Sequence, residues 1–432
     1  MHNIKTSLYI LFTIAGFSAA AQAGNTSTGK GAIKVVINKT GSSYQLLRDG
    51  QPYFVKGAGG SGFPERIKAY GGNSIRTWGT RGAKNILDSA SKYGLTVLMG
   101  LDVARERHGF NYDDTAAVRK QLDALRIEVM KYKDHPALLA WGIGNELNLQ
   151  YKNPRVWDAV NDISKMIHSV DPNHPTCTVL AGVNKGLIEQ IKSRVSDIDL
   201  LSINTYAGLA TLPKTISTSG WDGPYMVTEW GPTGHWEGLH TTWGSPIEET
   251  SSEKAMVYRS RYEYSVEEDR QKCLGSYVFL WGQKQERTPT WYGIFTERGE
   301  ESEVVDVMQF LWSGKWPLNK APHIYSLQLN NLKAVQDVQL TPGTKYDAMA
   351  VATDPDNDKL SYRWEILPEP TQVGEGGDFE ARPKPVTGMM QEGDAGKAML
   401  TAPATAGAYR LFIYVTDGNN NVATANLPFY VK

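Results

Sequence analysis

The stretch Leu138-Leu139-Ala140-Trp141-Gly142-Ile143-Gly144-Asn145-Glu146 places an unbroken apolar run directly before an asparagine and a glutamate. A second stretch, Tyr225-Met226-Val227-Thr228-Glu229-Trp230, repeats the arrangement. Apolar runs of this length are typical of buried parallel strands. The interval from position 146 to position 229 is nearly three βα units of roughly 30 residues each. The two stretches therefore predict strands four and seven of one sheet, each with an acid at its carboxyl end.

Similar apolar runs recur along the chain on both sides of these stretches. Eight are predicted as strands: Tyr53–Gly57, Asn73–Trp78, Thr96–Leu101, Leu138–Gly144, Thr176–Leu180, Leu200–Asn204, Tyr225–Thr228 and Ser276–Trp281. The segments between them, such as Val118 to Tyr132 and Val156 to Val170, have the periodicity of amphipathic helices. This alternation predicts an α/β fold, a (β/α)8 or TIM barrel. A doubly wound open sheet is the alternative, but no glycine-rich phosphate loop follows the first strand.

The regions outside the barrel differ from it in composition. Lys5, an apolar run and Ala21-Gln22-Ala23 are typical of a cleaved signal peptide, so we expect a periplasmic or secreted protein. Residues after the barrel lack helical periodicity and alternate as strands do, which predicts an all-β immunoglobulin-like sandwich. The expected division is 1–23 signal peptide, 24–51 N-terminal extension and hairpin, 52–315 barrel, 316–322 linker, and 323–432 immunoglobulin-like domain.

The charge balance narrows the classes of partner. Lys plus Arg number 45 against 46 for Asp plus Glu, without the basic excess that nucleic-acid or anionic-membrane binding usually shows. The two cysteines, Cys177 and Cys273, both fall in the predicted barrel and are expected as buried free thiols. We expect a monomer that needs no cofactor and binds a neutral polysaccharide or oligosaccharide rather than a nucleic acid or a membrane.

Two carboxylates at strand ends of one barrel converge on a common cleft, which suits glycosidic cleavage. The leaving oxygen requires a proton, and a second carboxylate must stabilise the positive charge that develops at the anomeric carbon. Glu146 and Glu229 are predicted to divide these two roles, one as the general acid/base and the other as the nucleophile. Carboxyl groups about 5 to 5.5 Å apart lead to retention of configuration, and a wider gap leads to inversion. The alternative is that either glutamate only pairs with an arginine.

At these residues the sequence resembles clan A of the glycoside hydrolases, retaining (β/α)8 enzymes with their acid/base on strand 4 and nucleophile on strand 7. The resemblance covers roughly Pro52 to Leu311 and implies that Glu146 is the general acid/base and Glu229 the nucleophile. It implies that Arg76, in Ser74-Ile75-Arg76, supports the nucleophile and that Asn145 binds the sugar 2-hydroxyl. It also implies that Tyr206 is the strand-6 tyrosine and Trp281 the tryptophan that floors the catalytic subsite.

The order of domains resembles glycoside hydrolase family 158, which are endo-β-1,3-glucanases acting on laminarin-type glucans. The barrel motifs are also similar to those of family 2, but family 2 enzymes place two β-domains before the barrel. The resemblance implies a retaining endo-β-1,3-glucanase that works through a covalent glycosyl-enzyme. A transglycosylase or a β-glycosidase acting on another β-linked glycan is an alternative. A non-catalytic carbohydrate-binding protein is an alternative from another class.

Aromatic residues after strand 7 are candidates for sugar platforms. Trp230 and Trp236 lie in a segment too polar for ordinary core, although packing is an equal alternative. His235 and His240 lack a third ligand, so no catalytic metal is expected. Asp354, Asp356 and Asp358 alternate in the C-terminal region, where a solvated turn is favoured over a calcium site.

Overall fold

A computed structural model describes residues 31–374 and 376–432. The expected signal peptide, residues 1–23, and the beginning of the extension lie outside the described residues. Among the residues described, no helix has both the length and the hydropathy needed to cross a membrane.

A short antiparallel sheet precedes the barrel. Its strands are β1 (Val35–Thr40), β2 (Ser43–Arg48) and β3 (Gln51–Pro52), which gives the predicted hairpin one more strand. Val35 and Leu46 are buried in one cluster with barrel residues such as Leu98 and Leu139. The backbone N–H of Val35 also donates to the carbonyl of Asn173, just before a barrel strand, at 2.8 Å. The hairpin therefore covers the end of the barrel where the strands begin.

Eight parallel strands form a closed barrel, as the sequence predicts. They are β4 (Val55–Gly59), β5 (Ser74–Arg76), β6 (Thr96–Leu101), β7 (Leu138–Ile143), β8 (Thr176–Ala181), β9 (Leu200–Asn204), β10 (Tyr225–Trp230) and β11 (Cys273–Val278). Strands β6 and β9 have the predicted bounds. Strand β11 begins and ends three residues before the predicted Ser276–Trp281, a shift that matters for the functional site.

Helices follow most of the strands and cover the barrel. They are α1 (Pro64–Ala69), α2 (Ala83–Lys92), α3 (Thr115–Tyr132), α4 (Arg155–Val170), α5 (Lys185–Arg194), α6 (Leu212–Ser219), α7 (Ser251–Tyr262) and α8 (Glu303–Ser313). Helix α4 buries Val156, Val160, Ile163 and Ile167, the face that periodicity predicts. Thr250 begins α7 with a capping box, in which its hydroxyl accepts from the N–H of Glu253. Cys177 and Cys273 are buried free thiols.

The C-terminal region consists of two mainly antiparallel sheets. Their strands are β12 (Glu301–Ser302), β13 (His323–Leu329), β14 (Gln339–Leu340), β15 (Lys345–Thr353), β16 (Ser361–Pro368), β17 (Met390–Glu392), β18 (Lys397–Thr401), β19 (Gly407–Thr416) and β20 (Asn421–Val431). One sheet has the order β12-β20-β19-β16, with β14 also on β20, and the other has the order β13-β15-β18-β17. Leu400, Leu411 and Phe429 belong to the core that the sheets share. The predicted barrel with a C-terminal β region is confirmed, and the immunoglobulin-like likeness stays a prediction.

A buried polar network joins the barrel to the C-terminal sheets. The carboxylate of Glu248 accepts from Lys254 Nζ at 2.5 Å, from the hydroxyls of Thr288 and Thr290 at 2.6 and 2.9 Å, and from Asn426 Nδ2 at 2.5 Å. Both ionised side chains are nearly inaccessible to solvent, at 1% for Glu248 and 6% for Lys254. Each charge therefore depends on the other for compensation.

Removal of that carboxylate should destabilise the whole protein. We expect Glu248→Ala to lower the free energy of unfolding by about 3 to 5 kcal/mol, because Lys254 would remain buried without its counterion. Chemical denaturation and the melting temperature measure the effect. The exposed pair of Arg194 and Asp158, 2.9 Å apart, supplies a control, since Asp158→Ala should change the melting temperature little. Equal melting temperatures for Glu248→Ala and the parent would contradict the prediction.

Candidate active site

Glu146 and Glu229 meet at the carboxyl ends of the barrel strands. Glu146 lies three residues beyond β7, and Glu229 lies near the end of β10. Asn204, the last residue of β9, donates from Nδ2 to Glu146 Oε1 at 2.9 Å and to Glu229 Oε2 at 3.2 Å. Because both oxygens contact one nitrogen atom, they are no more than about 6 Å apart. The two acids share one cleft.

The backbone at Glu146 is held in an unusual conformation. Its φ angle is +55°, in the left-handed region that side chains with a Cβ seldom occupy. The N–H of Glu146 donates to the carbonyl of Val179 on the neighbouring strand at 2.9 Å. Gly144, with φ of +70°, allows the turn, since a Cβ there would lie 2.6 Å from a side-chain carbon of Leu147. Such conformations cluster at functional sites, where surrounding structure fixes them.

Besides Asn204, three further side chains donate hydrogen bonds to the Glu229 carboxylate. Arg76 Nη1 and Trp78 Nε1 each donate to Oε2 at 3.0 Å, and the Tyr206 hydroxyl donates to Oε1 at 2.8 Å. Hydrogen bonds to both carboxylate oxygens thus hold the Glu229 side chain in position.

Arg76 connects this carboxylate to the residue before Glu146. Its guanidinium is buried and donates from Nη1 to the carbonyl of Thr228 at 2.7 Å and from Nη2 to Asn145 Oδ1 at 2.5 Å. Asn145 Oδ1 also accepts from Asn204 Nδ2 at 3.1 Å. Within residues 31–374 and 376–432, the Nδ2 of Asn145 donates to no protein acceptor, which leaves this amino group available to a ligand.

The two carboxyl groups have opposite electrostatic surroundings. Burial, followed by the negative charge of Glu229, raises the pKa of Glu146 to about 7, and the Asn204 hydrogen bond and Arg76 oppose part of this rise. Near neutral pH, Glu146 is therefore protonated to a much larger extent than an ordinary glutamate, whereas Glu229 has the Arg76 guanidinium beside it. Burial and the charge of Glu229 also raise the pKa of Tyr206, so its hydroxyl remains a donor. A carboxyl group with a raised pKa thus lies close to one that accepts hydrogen bonds from a guanidinium.

The side chains of Trp230 and Trp281 do not face the cleft. Their predicted roles as substrate contacts are therefore contradicted by the structure. Successive side chains of a strand point to opposite faces, so with Glu229 inside the barrel Trp230 is directed outward. It is 0% exposed and packs on Tyr258 and Tyr262 at ring distances of 5.3 and 5.7 Å.

Trp281 lies three residues beyond the end of β11 and is 1% exposed. Its ring packs against Trp312 of α8 at 5.3 Å and Phe295 at 5.2 Å. Phe279, directly after β11, instead contacts the rings of Trp78 at 5.7 Å and Tyr206 at 6.3 Å. Because β11 ends three residues earlier than predicted, Phe279 rather than Trp281 lies next to the site.

Trp236 has an exposed ring next to Tyr206, which binds Glu229. It is 56% exposed, and its ring lies 5.5 Å from that of Tyr206.

The described residues include a single group of three acids or histidines near enough to hold a metal ion, Asp354, Asp358 and Asp417, and it lies in the C-terminal region. Asp356 is outside this group. Asp354 Oδ1 accepts from the N–H groups of Asp356 and Asp358 at 2.8 and 2.9 Å, as in a turn.

Three residues of the site were not predicted from the sequence as site residues: Trp78, Asn204 and Phe279. All three occupy carboxyl ends of barrel strands or the next positions. Asn204 follows Leu200-Leu201-Ser202-Ile203, an apolar run ending in an amide, just as Asn145 does. That parallel is the signal in the sequence that could have identified it.

Comparison with known proteins shows similarity of structure only. No family model matches the chain, and no curated protein matches it. The Bacteroides uniformis β-glucuronidase 2 structure has a TM-score of 0.52 and 15% identity over 92% of this chain and 48% of that one. A Faecalibacterium prausnitzii β-glucuronidase has a TM-score of 0.50 and 20% identity over 65% and 52%. A putative β-galactosidase from Bacteroides fragilis has 0.50 and 13% over 92% and 57%.

This chain thus spans about half the length of these solved structures. At such low identities the likeness establishes the barrel fold.

Proposed function

We propose that the protein is a retaining β-glycosidase. The observation that carries the proposal is the shared contact of Glu146 and Glu229 with one nitrogen of Asn204, at 2.9 and 3.2 Å. The resulting separation of no more than about 6 Å suits direct attack and is too small for the water-admitting gap of inverting enzymes, about 6.5 to 9.5 Å. The opposite electrostatic surroundings of the two acids support separate roles for them.

In the first step, a Glu229 oxygen forms a bond to the anomeric carbon as the bond to the leaving oxygen breaks. Glu146 gives its proton to that leaving oxygen, so the first product departs as an alcohol. Arg76, Trp78 and Tyr206 hold the attacking carboxylate in position. Asn145 Nδ2, which has no protein acceptor among the described residues, is placed to donate to the sugar.

In the second step, water hydrolyses the glycosyl-enzyme. Ester formation neutralises Glu229 and thereby removes one cause of the raised pKa of Glu146. Glu146, which has already given its proton to the leaving oxygen, therefore stays ionised and can act as the base. It accepts a proton from the water, whose oxygen forms the bond to the anomeric carbon while Glu229 leaves as a carboxylate. The original protonation states are restored.

This assignment predicts the alkaline side of the pH profile. Glu146 must be protonated for cleavage, and its pKa in the folded protein is about 7. We therefore expect kcat/KM on unactivated glycosides to be sustained below this pH and to fall as pH rises through about 7. A series of kcat/KM measurements tests this. In Glu146→Gln, assayed with a 2,4-dinitrophenyl glycoside that needs no proton, the alkaline decline should disappear; its persistence would assign the decline to another group.

We infer further that the substrate is a neutral glucan, with β-1,3-glucan as the first choice. Three cations around the cleft are already paired with acids: Arg76 with Glu229 at 3.0 Å, Arg107 with Asp378 at 3.1 Å, and Lys284 with Glu286 at 2.6 Å. Paired cations offer little attraction to a carboxylate on the sugar. The exposed Trp236 supplies an apolar ring for a neutral sugar face. The domain order that resembles family 158 favours the β-1,3 linkage.

A glucuronide is a second candidate, favoured by Arg287. The Nε of Arg287 is buried and has no hydrogen-bond partner among the described residues. After burial, the charge of Arg287 is the next cause that lowers the pKa of His235, to about 4. A guanidinium in this state could bind the carboxylate of an acidic sugar.

The substrate is tested by incubating the purified protein with laminarin, mixed-linkage glucan, cellulose, mannan and an aryl β-glucuronide. Oligosaccharides of several lengths released from laminarin would support endo action on β-1,3-glucan. Cleavage of the glucuronide alone would favour the second candidate, and exclusive action on mannan would overturn the glucan assignment. Proton NMR of the first product distinguishes retention from inversion. Glu229→Gln, purified in the same way, controls for contaminating glycosidases.

A further inference from the structure

The C-terminal region reaches the mouth of the barrel through residues 376–380, which we call the mouth loop. This loop belongs to the connection between β16 and β17. The carbonyl of Gly377 accepts from Lys284 Nζ at 2.9 Å, and Glu380 Oε2 accepts from the N–H of Arg287 at 2.7 Å. Asp378 binds Arg107 at 3.1 Å. The loop is thus anchored to the connections that follow the third and eighth barrel strands.

The loop approaches Glu146 closely. Gly376 has φ of +55°, and a Cβ there would lie 2.8 Å from Leu149 Cδ2 and 3.0 Å from Arg107 Nη2. The N–H of Leu149 donates to the carbonyl of Glu146 at 3.0 Å. The loop backbone therefore packs on a side chain only three residues from the proposed general acid. A larger residue than glycine would push the loop away from the barrel.

Charges connect the same loop to both acids of the site. Arg107, the ion-pair partner of Asp378, is one of the groups that limit the rise in the pKa of Glu146. On the other side, Lys284 pairs with Glu286, whose pKa is raised by burial and in part by the charge of Glu229. The anchoring residues of the loop therefore lie within electrostatic reach of the catalytic pair.

Phe379 is the apolar residue of this loop. Its side chain is 89% exposed, although both neighbours, Asp378 and Glu380, are attached to the barrel. An exposed aromatic residue alone is ordinary. Here the anchoring of both neighbours places Phe379 at the barrel mouth, where covering its exposed ring with an apolar sugar face would remove the ring from water.

We propose that the mouth loop forms a wall of the substrate cleft and that Phe379 stacks on a sugar ring of an oligosaccharide bound across Glu146 and Glu229. This inference rests on the proposed glycosidase function and assigns the C-terminal region a direct part in binding. Phe379 and Trp236 would then provide apolar surfaces from two different parts of the chain. Sugars bound at Phe379 lie beyond the ring that is cleaved, so the contact favours long substrates over short ones.

The test measures binding and turnover with Phe379→Ala. Binding is measured by isothermal titration of the Glu229→Gln protein, with and without Phe379→Ala, against the hexasaccharides of β-1,3-glucan, β-1,4-glucan and β-1,4-mannan. We expect about tenfold weaker binding of the preferred hexasaccharide, which corresponds to burying one aromatic face. In the active protein, the ratio of kcat/KM for the hexasaccharide to kcat/KM for an aryl monoglycoside should fall about tenfold as well.

Tyr325→Ala is the matched control. It removes a ring that is 60% exposed and belongs to the same C-terminal region, but whose described contacts are with His323 and Thr353. It should keep the hexasaccharide affinity of its parent. If Phe379→Ala and its parent turn over the hexasaccharide with equal kcat/KM, the mouth-loop proposal is wrong, but the proposed glycosidase function still stands. Absence of both turnover and binding in the parent protein would overturn both.

Discussion

Glu229→Gln is expected to lower turnover by at least about 10⁴-fold, because glutamine cannot form the glycosyl-enzyme. Glutamine is nearly the same size, its oxygen can still accept from Arg76 and Trp78, and its amino group can donate to the Tyr206 hydroxyl oxygen, so binding of oligosaccharide should largely persist. Initial rates and isothermal titration separate the two effects. A rate equal to that of the parent would exclude Glu229 as the nucleophile.

The same position offers a chemical rescue. In Glu229→Gly, the missing carboxylate leaves space next to Arg76 and Trp78, both of which donate to Glu229 in the parent. Added azide should enter this space, attack the anomeric carbon in place of the carboxylate and restore part of the activity. The product should be a glycosyl azide with inverted configuration, which NMR identifies. Rescue absent at this position but present at Glu146→Gly would exchange the assigned roles.

Glu146→Ala has the second largest expected effect, and its size should depend on the leaving group. For a glucan or another substrate with a poorly acidic alcohol, loss of the proton donor should reduce kcat/KM by about 10² to 10⁴-fold. For a 2,4-dinitrophenyl glycoside, the first step needs no proton, and the loss should be much smaller. Steady-state kinetics with both substrates measure the difference.

An equal loss for both leaving groups would show that Glu146 positions the substrate rather than protonates it. Asn148→Ala is the matched control, since Asn148 is two residues away but binds the backbone of Ala181 at 2.9 Å instead of the catalytic carboxylates. It should show no dependence on the leaving group.

The order of strands and the convergence of the two acids could be predicted from the sequence for a physical reason. Strands buried on both faces are continuous apolar runs, and a parallel barrel brings their carboxyl ends together whatever their separation along the chain. Glu146 and Glu229 follow such runs and lie within hydrogen-bonding distance of the same nitrogen. The strand pattern therefore carries information about the site as well as about the fold.

The errors have equally specific causes. The aromatic residues after strand 7 predict a substrate contact at Trp230, but the alternation of side chains along β10 directs its ring away from Glu229. The resemblance to clan A implies a substrate-facing tryptophan on strand 8, but the apolar run from Cys273 to Trp281 continues past the strand, which ends at Val278, so Trp281 lies beyond it.

The mouth loop is a different case. Asp378 meets Arg107, a residue 271 positions earlier in the chain, and no local pattern in the sequence encodes such a contact. It depends on how the C-terminal sheets pack against the barrel, and this packing is fixed by buried groups such as Glu248 and Asn426.

The hairpin of β1 and β2 closes the barrel at the end opposite Glu146 and Glu229. Buried side chains that stabilise the fold there, such as Val35 and Leu46, therefore lie a full strand length from the carboxyl groups of Glu146 and Glu229. Substitutions in this hairpin, or a tag fused before it, should therefore change the melting temperature without changing the proposed substrate preference. Thermal stability could thus be increased at one end of the barrel and substrate preference redesigned at the other, independently of each other.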